Sequence, residues 1–500
     1  MHAPETHDCS RRTILSDADI FRRHPSPQDV AELRALIDKN ESSLASLNEE
    51  VEACSRQLSA LRAKSYTHIL TIQRCKAAMS IKRLLPPELL AKIFEHASEM
   101  GWARAPIVVS QVCSTWRAAA HSHPSVWSRI TVNLDTRDPV RWTTHSLQMA
   151  RKAPLHVTIV HTVPTATLEQ VITLLLEHSE QWESLTLDLH IAATRRVLAA
   201  CTAHFTRLRS IHISLSAAGG GVEEAGDTAS FANAFRDAPN LASATVVGSI
   251  LPRELPLRLT SLSIEYNGNG PFGPGIETSR SITEALRSLP DLETLKLRLG
   301  EINTALLAPP DIIELPKLRT LTYEDIQIGD FQILKYLTAP SLTRLHACVQ
   351  IDEEEYDSPT CLIPFLENSP NLEMLELDGV DIWPAQWHST LLMLPNLREL
   401  HLHDSDIDDA VIEGMFRKDG LCPNLQRIDL RWCQHVRGTT LVQLVESRIK
   451  DGGCRIEEAT AIGCSLVRKH DVMQLASLTT FRVVPGEWDG RCREFRLLDP

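Results

Sequence analysis

The sequence predicts an α/β solenoid with parallel strands inside and helices outside, preceded by a small all-α module and a long N-terminal coiled-coil helix. Three observations support this: a recurring leucine phrase in the C-terminal part, apolar stripes at helical spacing in the middle, and a seven-residue apolar repeat near the N-terminus. The predicted divisions are a disordered tail at 1–28, a coiled-coil helix at 29–79, a helical module at 80–128 and the solenoid with an irregular C-terminal cap at 129–500.

Composition narrows the functional classes. The chain has 500 residues, with 43% hydrophobic and 23% charged residues, as in ordinary globular proteins. Its net charge of −13 argues against binding to a nucleic-acid backbone. The N-terminus has no apolar signal core, and no run reaches the length of a membrane span. We therefore expect a soluble protein of the cytoplasm, nucleus or both that contacts neither membrane nor nucleic acid.

The twelve cysteines are scattered and form no C-x-x-C pair. Several fall at apolar positions of periodic segments, which predicts reduced, buried thiols in place of disulfides or a zinc site. No metal or cofactor is expected.

Residues 30–79 show the heptad pattern of a coiled coil without an interrupting Pro or Gly. Twelve of the fifteen core positions are apolar. Position a is occupied by Val30, Ile37, Leu44, Val51, Leu58, Ser65, Ile72 and Met79, and position d by Leu33, Asn40, Leu47, Cys54, Leu61, His68 and Cys75. The pattern predicts a homodimerisation helix, in which Asn40 would set the register. The alternative is a single amphipathic helix that folds back on the rest of the chain.

Residues 81–127 predict a cluster of short helices. Pro86 and Pro87 are suited to a first helical turn, and apolar residues then recur every four positions. A second apolar run follows Pro106. About 45 residues are too few to bury such stripes alone, so this segment requires a partner surface.

The segment contains L-P-P-E-L-L-x-x-I-F, then V-x-x-V-C-x-x-W-R, then H-P-x-x-W. These three blocks resemble the F-box in its F-box-like form. The resemblance implies docking on the Skp adaptor of a cullin–RING ubiquitin ligase. The residues that would form or support the adaptor-binding surface are Leu85, Pro86, Leu89, Leu90, Ile93, Val112 and Trp116. Residues 100–106 depart from the family's leucine-rich second helix. The alternative is a small helical cap on the next domain.

After Trp127 the chain repeats the phrase L-x-x-L-x-L, often after Pro and one further residue. The fourth-position residues are Leu185, Ile211, Ala244, Leu262, Leu295, Leu321, Leu345, Leu375, Leu400 and Ile428. They lie 18 to 33 residues apart, which is typical of irregular leucine-rich repeats. The short unit at 244–262 is expected to connect by a loop. Cys433 is predicted to fill a buried loop, and beyond Gly452 an irregular cap is expected.

Three features suggest enzyme or metal sites, but each has a simpler interpretation. The G-x-G-x-x-G match at 268–273 contains Pro271 and precedes Pro274, and these prolines remove amides that a phosphate would need. His401 and His403 lack a third zinc ligand nearby. The acidic run at 352–357 is interpreted as a solvated loop. We expect no catalytic residue.

Side chains that flank the strand leucines are predicted to line the concave face. They are Asp188, His212, Glu265, Lys296, Arg298, Glu376, Asp378, His401, His403, Asp429 and Arg431. Those expected to bind a target protein are Lys296, Arg298, Glu376, Asp378, His401, His403, Asp429 and Arg431. The predicted function is substrate recognition for an SCF-type ligase that reaches cullin through the Skp adaptor. The alternative is a leucine-rich-repeat scaffold without a ligase role. We expect deletion of 1–127 to cause aggregation only if the helical module is a cap.

Overall fold

A computed structural model describes residues 24, 26–79, 85–160, 167–202, 204–216, 234–235, 237–248, 258–265, 276–299, 312–325, 331–349, 360–380, 382–417, 420–450 and 454–484. The chain divides into two compact units, Met1–Pro86 and Pro87–Pro500. Four predicted features lie outside the described residues: most of the tail at 1–28, the loop inside the unit at 244–262, the glycine-rich match at 268–273 and the acidic run at 352–357.

The first unit contains one helix, α1 (Pro27–Ala78), of 52 residues. At 1.5 Å per residue it is about 78 Å long. Ser26 and Asp29 cap its start reciprocally, each side chain accepting a hydrogen bond from the backbone N–H of the other at 2.9 and 3.2 Å. The predicted helix is confirmed, whereas coiled-coil pairing stays a prediction.

The second unit begins with the helical module: α2 (Pro87–Glu99), α3 (Ala105–Val112), α4 (Ser114–Ser122) and a 3₁₀ turn at Pro124–Trp127. Helix α2 buries its apolar stripe against α4 and the 3₁₀ turn. Arg117 joins α4 to α3, because its Nε donates to the Ser110 carbonyl at 2.9 Å. The three predicted sequence blocks therefore form one small helical core.

A parallel sheet of fourteen strands follows, with the strands in chain order. They are β1 (Arg129–Asn133), β2 (Leu155–Val160), β3 (Trp182–His190), β4 (Ser210–Ser216), β5 (Ser243–Val247), β6 (Ser261–Glu265), β7 (Thr294–Leu299), β9 (Thr320–Asp325), β11 (Arg344–Val349), β12 (Met374–Asp378), β13 (Glu399–His403), β14 (Arg427–Arg431), β15 (Glu458–Ile462) and β16 (Thr480–Val484). Two short strands, β8 (Ile313–Glu314) and β10 (Leu337–Thr338), pair separately in parallel.

Helices return the chain between many of these strands. They are α5 (Pro139–Ala150), α6 (Thr167–Leu176), α7 (Ile191–Ala200), α8 (Ile276–Arg287), α9 (Leu362–Glu367), α10 (Pro384–Leu392), α11 (Asp409–Glu413), α12 (Gly438–Lys450) and α13 (Lys469–Leu478), with 3₁₀ turns at Ser179–Gln181 and Gln332–Tyr336. A strand followed by a returning helix, stacked in chain order, is the α/β solenoid that the leucine phrase predicted.

The strand register confirms the predicted leucine ladder. Leu185 pairs with Ile211, and the pairing continues through every predicted fourth-position residue to Ile428. Because strand side chains alternate between faces, a second buried ladder lies two residues further on, from Leu187 to Leu430. These two rows form the hydrophobic core of the solenoid.

The recurrence of Pro-Asn pairs before the leucine phrase has a structural cause. The Asn371 side-chain amide donates to the Pro340 carbonyl of the preceding repeat at 3.0 Å, and Asn396 donates to Pro370 at 3.1 Å. Asn424 continues the series. The amides thus satisfy carbonyls at the turns before the strands.

The irregular cap expected beyond Gly452 is wrong for residues 458–484, because β15 and β16 continue the parallel sheet there. Ala459 and Ala461 occupy the two ladder positions of β15, so the leucine phrase is absent although the strand is present. Cys464 follows β15 as Cys433 follows β14. The Cys433 thiol donates to the Leu402 carbonyl at 3.5 Å, as predicted for a buried loop residue.

The helical module packs directly on the first repeat. Trp127 is buried, its indole N–H donates to the Ala120 carbonyl at 2.9 Å, and its ring contacts His145 of α5 edge-on at 5.3 Å. Arg129 of β1 pairs with Glu99 of α2 at 3.3 Å. The module therefore covers the N-terminal end of the solenoid as well as having surfaces of its own.

Candidate protein-interaction surfaces

The helical module exposes large apolar side chains on two of its helices. Leu89 and Ile93, one turn apart on α2, are each 51% exposed, and Val112 on α3 is 57% exposed. The opposite stripe of α2 is inside, where Leu90 and Phe94 are each 1% exposed. Helical periodicity separates the two sets, because residues four apart share a face whereas adjacent residues do not.

The predicted adaptor-binding residues therefore occupy different places. Leu89, Ile93 and Val112 are at the surface of the second unit. Leu90 lies in the core, and Trp116 is half-buried with its ring 5.0 Å from that of Phe94, so these two support the helices from within. In the first unit, Leu85 is half-buried and Pro86 is exposed.

The residues predicted to line the concave face belong to the parallel sheet, and their role in target binding stays a prediction. All eleven predicted residues lie on strands at positions between or beside the two buried ladders. From β1 to β6 the row between the ladders consists of Thr131, Thr158, Thr186, His212, Thr245 and Ser263. From β7 to β14 it consists of Lys296, Thr322, His346, Glu376, His401 and Asp429. Ionisable side chains are thus concentrated in the C-terminal half.

Many charges on this face neutralise one another. Arg298 lies 2.7 Å from Glu265 and 3.4 Å from Glu324, while Lys296 lies 2.9 Å from Glu324. On β14, the Arg431 guanidinium donates two hydrogen bonds to Asp429, at 3.1 and 3.0 Å. Four of the predicted target-binding residues are therefore engaged within the face.

Between these paired groups lie two carboxylates with imidazole neighbours on the adjacent strands. The register places His346 and His401 on either side of Glu376, and Cys348 and His403 on either side of Asp378. Burial lowers the pKa of His403 below its usual value, and the nearby Arg431 lowers it further, although the surrounding carboxylates oppose these effects. A neutral imidazole leaves the charge of its acidic neighbours uncompensated.

The F-box-like family matches residues 83–133, a segment that includes the three helices, the 3₁₀ turn and β1. The chain contains an F-box-like domain. No curated protein matches the chain. Among solved structures, the crystal structure of a Bacteroides fragilis protein matches with 13% identity and a TM-score of 0.32, covering 61% of this chain and 75% of that one.

The F-box-like domain exposes three apolar residues that the sequence interpretation did not select. Met100 and Trp102 lie in the turn after α2, within the segment that departs from the family pattern, and Val108 precedes Val112 by one helical turn. Val108 could have been identified from the sequence, because its four-residue spacing from Val112 places both side chains on one face of the helix. On the concave face, His346 was also missed, although it occupies the same repeat position as Glu376 and His401.

The described part of the chain offers no group of three or more His, Cys, Asp or Glu side chains arranged to hold a metal ion. Likewise, no helix within it has the length and apolarity to cross a membrane. Burial raises the pKa of the Cys201, Cys422 and Cys433 thiols to about 12, so these groups stay protonated at neutral pH.

Proposed function

We propose that this chain is the substrate-recognition subunit of an SCF-type cullin–RING ubiquitin ligase. Its F-box-like domain would bind the Skp adaptor, and cullin through it, while the leucine-rich repeats would bind a target protein. Ubiquitin transfer would take place on other subunits, so no catalytic residue is assigned to this chain. The proposal places the protein in the cytoplasm, the nucleus or both.

The observation that carries the proposal is the exposed pair Leu89 and Ile93 on one face of α2 in the F-box-like domain, opposite the buried Leu90 and Phe94. A domain of this size has a small core. Two large aliphatic side chains on one helix face are half-exposed, and each therefore loses roughly 1 kcal/mol of the stabilisation that full burial would give. Apolar anchors that fill partner pockets supply much of the binding energy in protein interfaces. Val112, at the C-terminal end of α3, adds a third such side chain.

The test is retention of the Skp adaptor by the purified full-length protein. We expect the double variant Leu89→Glu, Ile93→Glu to lose adaptor binding while keeping its helix content and melting temperature. Leu392→Glu is the matched control, because Leu392 is 64% exposed on outer helix α10 and lies outside the F-box-like domain. A folded wild-type protein that fails to retain the adaptor at micromolar concentration contradicts the proposal.

The second candidate is a leucine-rich-repeat scaffold in which the helical module only closes the end of the solenoid. The ring contact of Trp127 with His145 of α5 and the ion pair between Arg129 of β1 and Glu99 of α2 favour a closing role. The two functions are compatible on this structure, so deletion of 1–127 does not distinguish them. The Leu89 and Ile93 variant does, because it leaves the buried side of α2 intact.

We also propose that α1 pairs with α1 of a second copy of this chain. Seven of its predicted core residues, Ile37, Leu44, Leu47, Val51, Leu58, Leu61 and Ile72, are between 50% and 66% exposed. In the single chain, the Asn40 amide donates to the Leu36 carbonyl of its own helix at 2.8 Å. In a parallel pair, the two Asn40 side chains would instead bond to each other and fix the register.

A further inference from the structure

We propose that strands β11 to β13 of the concave face form a binding site for a cationic segment, with lysine or arginine side chains placed against Glu376. The proposal names the chemical class of the target, and it rests on the proposed function only in taking the bound segment to belong to a ligase substrate. The site itself is defined by the charges and burial of the described side chains.

Glu376 has no hydrogen bond or ion pair with another described residue, although it lies in the middle of a charged surface. The neighbouring cations are engaged elsewhere: Lys296 and Arg298 with Glu324, Arg427 with Glu399 at 2.8 Å, and Arg431 with Asp429. This leaves negative charge at the centre of the C-terminal half of the face.

The remaining cation on these strands is in a different row. Arg344 of β11 pairs in register with Met374, whereas Glu376 is flanked by His346 and His401. Adjacent strands are about 4.8 Å apart, so a cation placed over Glu376 would contact both imidazoles. His401 also lies 3.8 Å from Glu399, whose carboxylate is already paired with Arg427.

The His403 side chain is 8% exposed, and its Nε2 atom is buried without a hydrogen-bond partner in the described part of the chain. The register places His403 between Asp378 and Arg431, and the charges of Glu376 and Asp429 also act on it. Buried polar atoms are normally paired, and leaving one unpaired costs about 1–3 kcal/mol. A bound segment that carries hydrogen-bonding groups would relieve this cost.

The charges of these strands favour one chemical class of ligand. A metal ion does not fit, since the described residues include no suitable group of three or more ligands. Anionic ligands would be repelled by Glu376 and Asp378. Lysine and arginine have a cationic group at the end of a long, flexible side chain. This group can reach Glu376 on the surface of the sheet, between the side chains of the adjacent strands. Charge complementarity of this kind gives both specificity and faster association.

The test uses the full-length protein and a short fluorescein-labelled peptide in which arginine alternates with glycine. A matched peptide with glutamine in place of arginine is the neutral probe. Fluorescence anisotropy is expected to show about tenfold or greater preference for the arginine peptide, and Glu376→Gln is expected to lower its affinity about tenfold. Glu367→Gln removes the same charge from outer helix α9 and is expected to leave the affinity unchanged.

Two results would overturn the proposal: equal binding of both peptides, or equal losses from Glu376→Gln and Glu367→Gln, which would indicate attraction to net charge alone. Carbodiimide labelling gives a local readout, because bound arginine peptide should slow modification of Glu376, and unchanged labelling also counts against the site. Adaptor binding is measured on the same samples. Its absence would contradict the ligase role and leave the peptide result standing.

Discussion

At the scale of single residues, neighbouring positions with the same chemistry have opposite roles. Leu89 and Leu90 are adjacent in the L-P-P-E-L-L block, yet one is 51% exposed and the other 1%. Both residues belong to the block that resembles the F-box. The tertiary packing shows that they lie on different faces of the helix. The sequence pattern therefore did not indicate which of the predicted residues are exposed to a partner, and their docking role stays a prediction.

Arg448 shows what sequence patterns could not predict. It lies near the end of α12, where a basic residue is ordinarily solvated, but it is buried. Its guanidinium donates hydrogen bonds of 2.8 to 3.1 Å to the carbonyls of Met415, Leu421, Cys422 and Pro423. These carbonyls belong to the connection between α11 and β14, so the role of Arg448 depends on a contact between separate segments.

We predict that Arg448→Met lowers the free energy of unfolding by about 3–5 kcal/mol, because four buried carbonyls lose their donor. Urea unfolding followed by circular dichroism measures the change. Lys450→Met on the same helix is the control, since Lys450 is exposed and pairs with Glu446 on its own helix, and it should shift stability by less than about 0.5 kcal/mol. Equal shifts for the two variants would show that the buried hydrogen bonds contribute little.

The pH dependence of stability should reflect two histidines. Burial is the main reason that the pKa values of His403 and His156 lie below the ordinary 6.5, with nearby arginines contributing. The unfolded chain therefore binds protons at a higher pH than the folded chain does. Stability from these groups is complete above about pH 6.5 and decreases as the pH falls through 6.5 toward the folded-state pKa values.

We predict that His403→Gln flattens the pH dependence of the unfolding free energy between about pH 7 and pH 5, as measured by urea titrations at a series of pH values. His435→Gln, at an exposed imidazole, serves as the comparison. A slope that His403→Gln leaves unchanged would mean that other groups control the acid sensitivity.

At the scale of elements, the sequence predicted the solenoid well where leucine occupies the ladder and poorly where smaller residues do. Ten predicted fourth-position residues lie in one ladder, whereas β15 was missed because Ala459 and Ala461 fill its buried positions. Alanine fits there because the ladder requires an apolar side chain facing the core, not a particular size. The packing of the helical module on β1 and α5 was only an alternative at the level of the sequence, because it depends on the contact between the Trp127 ring and His145.

This junction changes the expected result of a truncation. Deleting residues 1–127 removes Trp127 and exposes Ile130 and Val132, which are buried in β1. We predict that the remaining repeats aggregate, because an uncovered solenoid end leaves apolar surface in water. Size-exclusion chromatography of the fragment 128–500 checks this, with the fragment 85–500 as the control that keeps the module. A monodisperse 128–500 fragment would show that the end of the solenoid needs no cover.

At the scale of the whole molecule, the central question is how many copies act together. If α1 forms a parallel dimer, each complex holds two F-box-like domains and two solenoids. Two receptors can then hold two sites on one target, and the second contact is made at the high effective concentration set by the tether. Modest affinity at each site could increase about one-hundredfold, provided that the geometry allows both to bind.

We predict that light scattering at tens of micromolar gives about twice the chain mass of 55.8 kDa. Leu47→Asp with Leu58→Asp should give monomers, because each substitution puts a charge at a core position of the predicted coiled coil. Both positions are exposed in the single chain, so the variant should keep its fold and its adaptor binding. A wild-type mass near 55.8 kDa would exclude the dimer. A monomeric variant with unchanged target affinity would instead show that recognition takes place within a single concave face.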